Sequence, residues 1–167
     1  MTTHPALPAL PPKLALKEEL ARIVAADLDT RERAHRAALE GATHEEAKPE
    51  NDKDTRALEQ SYLARGEALR VEELRQGLHA VRSMPTRAFG EDEPASVGAL
   101  VVTEQEGATT VLLLAPFGGG TRLAGGAVQV VTPQSPLGRA LLGKRAGDDC
   151  EIALAGRTRE VSVSDVK

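Results

Sequence analysis

Glu45-Glu46-Ala47-Lys48-Pro49-Glu50-Asn51-Asp52-Lys53-Asp54 interrupts a long run of helix-forming residues, and its reading decides the fold. Pro49 cannot continue a helix arriving from Lys48, and its ring disfavours the helical conformation at that residue. Asn51 or Asp52 can cap a new helix, with Asp54 placed well in its first turn. From Lys13 to Met84, Pro49 is the single proline, and Ala, Leu, Glu and Arg dominate. If the chain folds back near Pro49, apolar residues whose numbers sum to about 97 should face each other. Leu39 with Leu58, Leu28 with Leu69, Ile23 with Leu74 and Leu16 with Val81 obey this, and Leu20 with Leu78 nearly does. Leu16, Leu20 and Ile23 then form one side of a seam, and Leu74, Leu78 and Val81 the other. The phase slips near Leu28 and Leu69 on both arms at one height, as expected of an antiparallel hairpin. His35 falls opposite Tyr62 in this register and is expected at the seam.

The rest of the chain has different physics. Twelve glycines follow Arg87, with β-branched runs between them. Strands are expected at 97–103, 109–115, 127–131, 150–155 and 159–163. Between the third and fourth, Ser135 suits an N-cap, Pro136 the first helical position and Gly143 a C-terminal stop. The expected organisation is a flexible Pro-rich tail (1–12), a helical hairpin (13–86) with an acidic tip near 45–54, a linker (87–93) and a small domain (94–167). The fold class is α+β: an antiparallel coiled-coil hairpin, then an antiparallel sheet with one short helix.

Composition narrows the function. A net charge of −4 argues against bulk attraction to phosphates. Tyr62, Phe89 and Phe117 are the only aromatics, too few for a base-stacking platform. The lone Cys150 cannot form an intrachain disulfide and fits a small core residue. No apolar run approaches the ~20 residues of a membrane helix, and 1–12 lacks the pattern of a signal peptide. The expected location is cytoplasmic, and a seam satisfied within one chain predicts a monomer. Gly118-Gly119-Gly120-Thr121 lacks the frame of a phosphate loop. His44-Glu45-Glu46-Ala47-Lys48 has lysine where a zinc site needs its second histidine.

Val130-Val131-Thr132-Pro133-Gln134-Ser135-Pro136-Leu137-Gly138-Arg139-Ala140-Leu141-Leu142-Gly143-Lys144, followed by Ala146-Gly147-Asp148, resembles the C-terminal signature of the GreA/GreB elongation factors. The resemblance implies an FKBP-like C-terminal domain docking on bacterial RNA polymerase, with Gln134, Ser135, Pro136 and Leu137 at the contact. It implies a hairpin in the polymerase secondary channel whose tip carboxylates stimulate hydrolysis of backtracked RNA. On that reading the chain is no enzyme and carries no cofactor of its own. It assists the polymerase's cleavage activity and shares Mg²⁺ in the polymerase active site, since carboxylate oxygens suit that hard ion.

Aligned on the family tip, Asp-x-x-Glu-Asn-x-Glu-Tyr, Glu50-Asn51 matches Glu-Asn, whereas Ala47 stands where the Asp belongs and Lys53-Asp54 replaces Glu-Tyr. Glu50 is thus the matched acid, with Glu46 and Asp52 as candidates beside it; Glu50 and Asp52 are the candidate metal ligands. Arg31, Arg33 and Arg36 either contact the backtracked RNA 3′ end through phosphates or form an ordinary salt-bridged helix face. Two other classes compete: a secondary-channel modulator that does not support cleavage, and an FKBP-like chaperone or coiled-coil adaptor.

Overall fold

The computed structural model describes residues 9–45, 53–154 and 156–167. The elements in order are α1 (Lys13–Glu45), α2 (Lys53–Ser83), β1 (Leu100–Gln105), β2 (Ala108–Leu114), β3 (Arg122–Leu123), a 3₁₀ turn (Ala124–Gly126), β4 (Val128–Val131), α3 (Pro136–Leu141), β5 (Asp149–Leu154) and β6 (Arg157–Val166). They divide into two compact units, Arg22–His79 and a second made of Met1–Ala21 with Ala80–Lys167.

The first unit is the helical pair. Its buried apolar residues are Val24 on α1 and Val71, Leu74 and Leu78 on α2. The seam therefore runs through Val24 rather than Ile23, which is 42% exposed. The mirror sum fixes height along the hairpin but not rotation about each helix, and neighbouring residues differ by about 100° in direction. Leu39, Tyr62 and Leu69 likewise face solvent, the last two at 70% and 67% exposure. Above Val24 and Val71 the helix interface becomes polar. Arg31 bridges to Glu67 there at 3.4 Å, and Glu32 meets Arg75, which lies lower on α2 between Leu74 and Leu78, at 2.6 Å. The Nδ1 atom of His35 and the Oε2 atom of Glu67 are buried there without a hydrogen-bond partner. His35 thus lies half-buried in a polar stretch of the interface, without Tyr62 over it.

This change of chemistry accounts for the phase slip near Leu28 and Leu69. It also predicts a gradient of stability, because a buried aliphatic side chain contributes roughly 1.5–3 kcal/mol and an exposed ion pair about 0–1. Amides of the helical residues beyond Leu28 and before Leu69 should exchange with solvent faster than those around Val24 and Leu74. The difference should widen at high salt, which screens exposed pairs. Uniform protection along both helices, measured by hydrogen exchange, would refute the polar seam.

The second unit contains a six-stranded sheet in the order β3-β4-β2-β1-β6-β5. Glu106 and Gly107 both take positive φ, the geometry that closes a tight β1–β2 hairpin. The sheet is mixed, not purely antiparallel as expected: β2 and β4 run parallel, with Leu113 beside Val130. The stretch 115–127 between them is long enough for the crossover that a parallel pair requires. It also holds the two-residue edge strand β3, too short for periodicity to reveal. β6 extends further at both ends than its alternation suggested.

Strand residues alternate between two buried faces. Val101, Leu112, Leu114, Val131, Ile152, Val161 and Val163 form one core with Leu141 of α3, and Leu137, Ala140 and Phe89 pack on it. Leu100, Val102, Val111, Leu113, Val128 and Val130 are also buried. The unit includes the first turns of α1, whose Leu16 and Leu20 are wholly buried. A β-carbon at Gly118 would lie 2.8 Å from Cδ1 of Leu20, so glycine permits this close approach. Lys17 Nζ donates to the Met84 carbonyl at 2.8 Å, and the Ala124 N–H donates to the Glu19 carboxylate at 3.1 Å.

The expected linker is a closed turn. Arg87 forms an ion pair with Glu93, and the Gly90 N–H donates to the same carboxylate at 3.1 Å. The Arg87 hydrogen bond, helped by Gly90, draws the Glu93 carboxyl down to about 2. Lys13 Nζ and the Arg87 guanidinium lie 4.6 and 4.4 Å from the centre of the Phe89 ring.

Candidate docking site

After β4 the chain turns sharply into α3. Ser135 has extended backbone (φ −71°, ψ 153°), and its Oγ accepts from the Gly138 N–H at 3.0 Å. The same hydroxyl donates to the Thr132 carbonyl at 2.8 Å, and the Ser135 N–H donates to that oxygen at 3.0 Å. Ser135 is thus the N-cap and Pro136 the first helical residue, as the sequence indicates. Gly143 takes a positive φ of 77° just past the helix, and its N–H donates to the Ala95 carbonyl at 2.8 Å.

One feature of this turn was not anticipated. Gly138 is buried, and a β-carbon there would sit 2.7 Å from the carbonyl carbon of Thr132 and closer still to its oxygen. The turn is as tight as it is because this position lacks a side chain. Periodicity cannot reveal such a contact, although a glycine inside a helical pattern is a general sign of close approach.

Core packing of Leu137 and Leu141 leaves Gln134 and Pro136 exposed, while Ser135 is half-buried by its capping bonds. The four expected docking residues therefore lie together on one rigid turn. Glu46, Glu50 and Asp52, with Ala47 and Pro49, fall outside the described residues. On α1, Arg33 pairs with Asp29, and Arg31 reaches Glu67 and, at 4.0 Å, Asp27. Arg36 is exposed. Among the described residues no group of three or more His, Cys, Asp or Glu side chains could hold a metal ion, and no helix is long and apolar enough to cross a membrane. Cys150 is buried, with its thiol shifted up by burial and its Sγ 3.4 Å from the Val161 carbonyl.

The fold is thus a two-helix hairpin joined to a mixed-sheet domain whose proline-led helix is locked against the sheet. Residues 96–167 match the family model described as transcription elongation factor, GreA/GreB, C-terminal. No curated protein sequence matches the chain at a significant level. Among solved structures it is similar to GreA factor homolog 1 (Gfh1) of Thermus thermophilus, with 19% identity over 88% of this chain and 94% of that one, at a TM-score of 0.38. Gfh1 of Thermus aquaticus gives 21% identity over 87% and 92% of the two chains, with a TM-score of 0.39. A GreA/GreB factor of Nitrosomonas europaea gives 16% identity over 56% and 78%, with a TM-score of 0.33.

Proposed function

We propose that this chain is a transcription factor that docks on bacterial RNA polymerase through its C-terminal domain and acts through its hairpin in the secondary channel. The match of residues 96–167 to the GreA/GreB C-terminal family carries this reading. The exposed Gln134 and Pro136, held on a turn with little freedom, support it: a preorganised contact loses little entropy on binding. The factor acts as a monomer in the cytoplasm and contributes no active site of its own.

In the first form of the mechanism the tip acids assist the polymerase's own RNA cleavage. Glu50, with Glu46 or Asp52, would supply oxygen ligands to Mg²⁺ in the polymerase active site, a donor set that suits this ion. Arg36, together with Arg31 and Arg33 if their ion pairs yield, would meet the phosphates of the backtracked 3′ end. In the second form the hairpin occupies the channel and modulates catalysis without cleavage. The substitution of Ala47 for the family's aspartate favours this form, because alanine offers no metal ligand.

Binding to purified core polymerase, followed by a cleavage assay on stalled complexes, tests both levels. Pro136→Ala should weaken binding severalfold while the thermal midpoint stays nearly unchanged, since the ring is exposed. Loss of binding only in step with unfolding would reduce this residue to a helix starter.

A further inference from the structure

Among the described residues two besides glycine take a positive φ: Glu106 in the β1–β2 turn, and Ala124, at 51°, in the crossover between β2 and β4. A β-carbon makes this conformation costly, so something must hold Ala124 in it. Its N–H meets α1, where both oxygens of the half-buried Glu19 carboxylate accept it, at 3.1 and 3.3 Å. Gly125 and Gly126 follow at positive φ, a region open to glycine without strain. The strained residue is therefore clamped from α1 and bordered by residues that can turn either way. The same crossover reaches the docking turn. The Gly120 N–H donates to the Val130 carbonyl at 2.9 Å, and the Val130 N–H donates to the Thr121 carbonyl at 2.8 Å, so the segment is stitched to β4 just before that turn. A β-carbon at Gly119 would lie 3.2 Å from Cγ2 of Thr132, whose carbonyl anchors the Ser135 cap. Gly118 abuts Leu20, the neighbour of Glu19 on α1. One short segment thus touches α1 at Gly118 and Ala124, and the docking turn at Gly119.

We infer that residues 115–127 form a strap with two arrangements, clamped and relaxed. The Glu19–Ala124 bond holds it clamped and so keeps the Thr132–Pro136 turn in its docking geometry. Strain at Ala124 favours the relaxed arrangement and the carboxylate favours the clamped one. The strap is then a two-state element that α1 and the docking turn both bias, which is what coupling between two places in a molecule requires. Glu19 is a positioning residue, acting on docking through Ala124 and the strap rather than by contact with a partner. By linkage, docking on the turn tightens the clamp by the same factor as the clamp strengthens docking. The last step rests on the reading above that this turn meets RNA polymerase; the strap itself is a property of the free chain.

Residue-resolved hydrogen exchange on the full chain, together with binding to purified core RNA polymerase, tests both halves. Glu19→Ala should speed exchange of the Gly120 and Val130 amides about fivefold, and speed Ser135 and Gly138 as well. Its affinity for polymerase should fall roughly twofold, in proportion to the clamped fraction. Adding Ala124→Gly should return exchange and affinity close to wild type, because glycine holds a positive φ without a clamp. A merely structural loss at Glu19 would not be rescued in this way. Glu18→Ala, on the exposed side of the same helix, should change neither readout. Unchanged exchange at Gly120 and Val130 in Glu19→Ala would overturn the clamp. Faster exchange there with Ser135 and Gly138 unaltered would overturn the coupling, and absence of rescue by Ala124→Gly would overturn the role of strain. If wild type binds polymerase and Glu19→Ala binds equally well, this inference fails while the docking proposal stands. If wild type does not bind at all, the docking proposal falls and takes the last step with it, while exchange in the free chain still decides the strap.

Discussion

Replacing Gly138 with alanine should destabilise the C-terminal domain by about 3 kcal/mol, the upper end of the cost of forcing an extra carbon into a packed site. The added methyl would meet the backbone of Thr132, which cannot swing away as a flexible side chain could. Relief would require α3 to move off the turn, breaking the Ser135 cap and loosening Leu141 from the core. A fall of roughly 10 °C in the thermal midpoint follows for a protein of this size. Gly90→Ala is the matched control: its added carbon meets nothing within 4 Å, and its midpoint should hold or rise slightly. If circular dichroism melting finds both variants within a degree or two of wild type, the close approach at Thr132 is not real.

Glu50→Gln should abolish any stimulation of transcript cleavage while leaving polymerase affinity intact. Glutamine keeps the size and removes the charge that Mg²⁺ requires of its ligand. Glu45→Gln, farther from the matched position, should do less. The effect is all or none only under the cleavage form of the proposal. A wild-type chain that stimulates no cleavage at any Mg²⁺ concentration, yet competes with an active Gre factor, establishes channel occupation instead. If wild type stimulates cleavage and Glu50→Gln does so equally, the tip alignment is wrong, and Glu46 with Asp52 become the acids to vary.

Much of the architecture is written locally in the chain. Proline-poor helical sequence around Pro49 specifies a helical pair, because good helix formers and one breaker act without reference to distant residues. Ser135-Pro136 and Gly143 mark the ends of α3 by their own backbone and side-chain chemistry, and the structure places the cap bond where they indicate. The alternating strands were legible for the same reason, except where an element was as short as β3.

Other features depend on what meets across space, and these only the tertiary structure decided. The choice of Val24 over Ile23 for the seam is a matter of helix rotation, which the pairing of heights leaves open. The parallel β2–β4 pair depends on the path of a crossover rather than on the alternation within either strand. The need for glycine at 138 arises from a carbonyl six residues earlier that the turn folds back onto it.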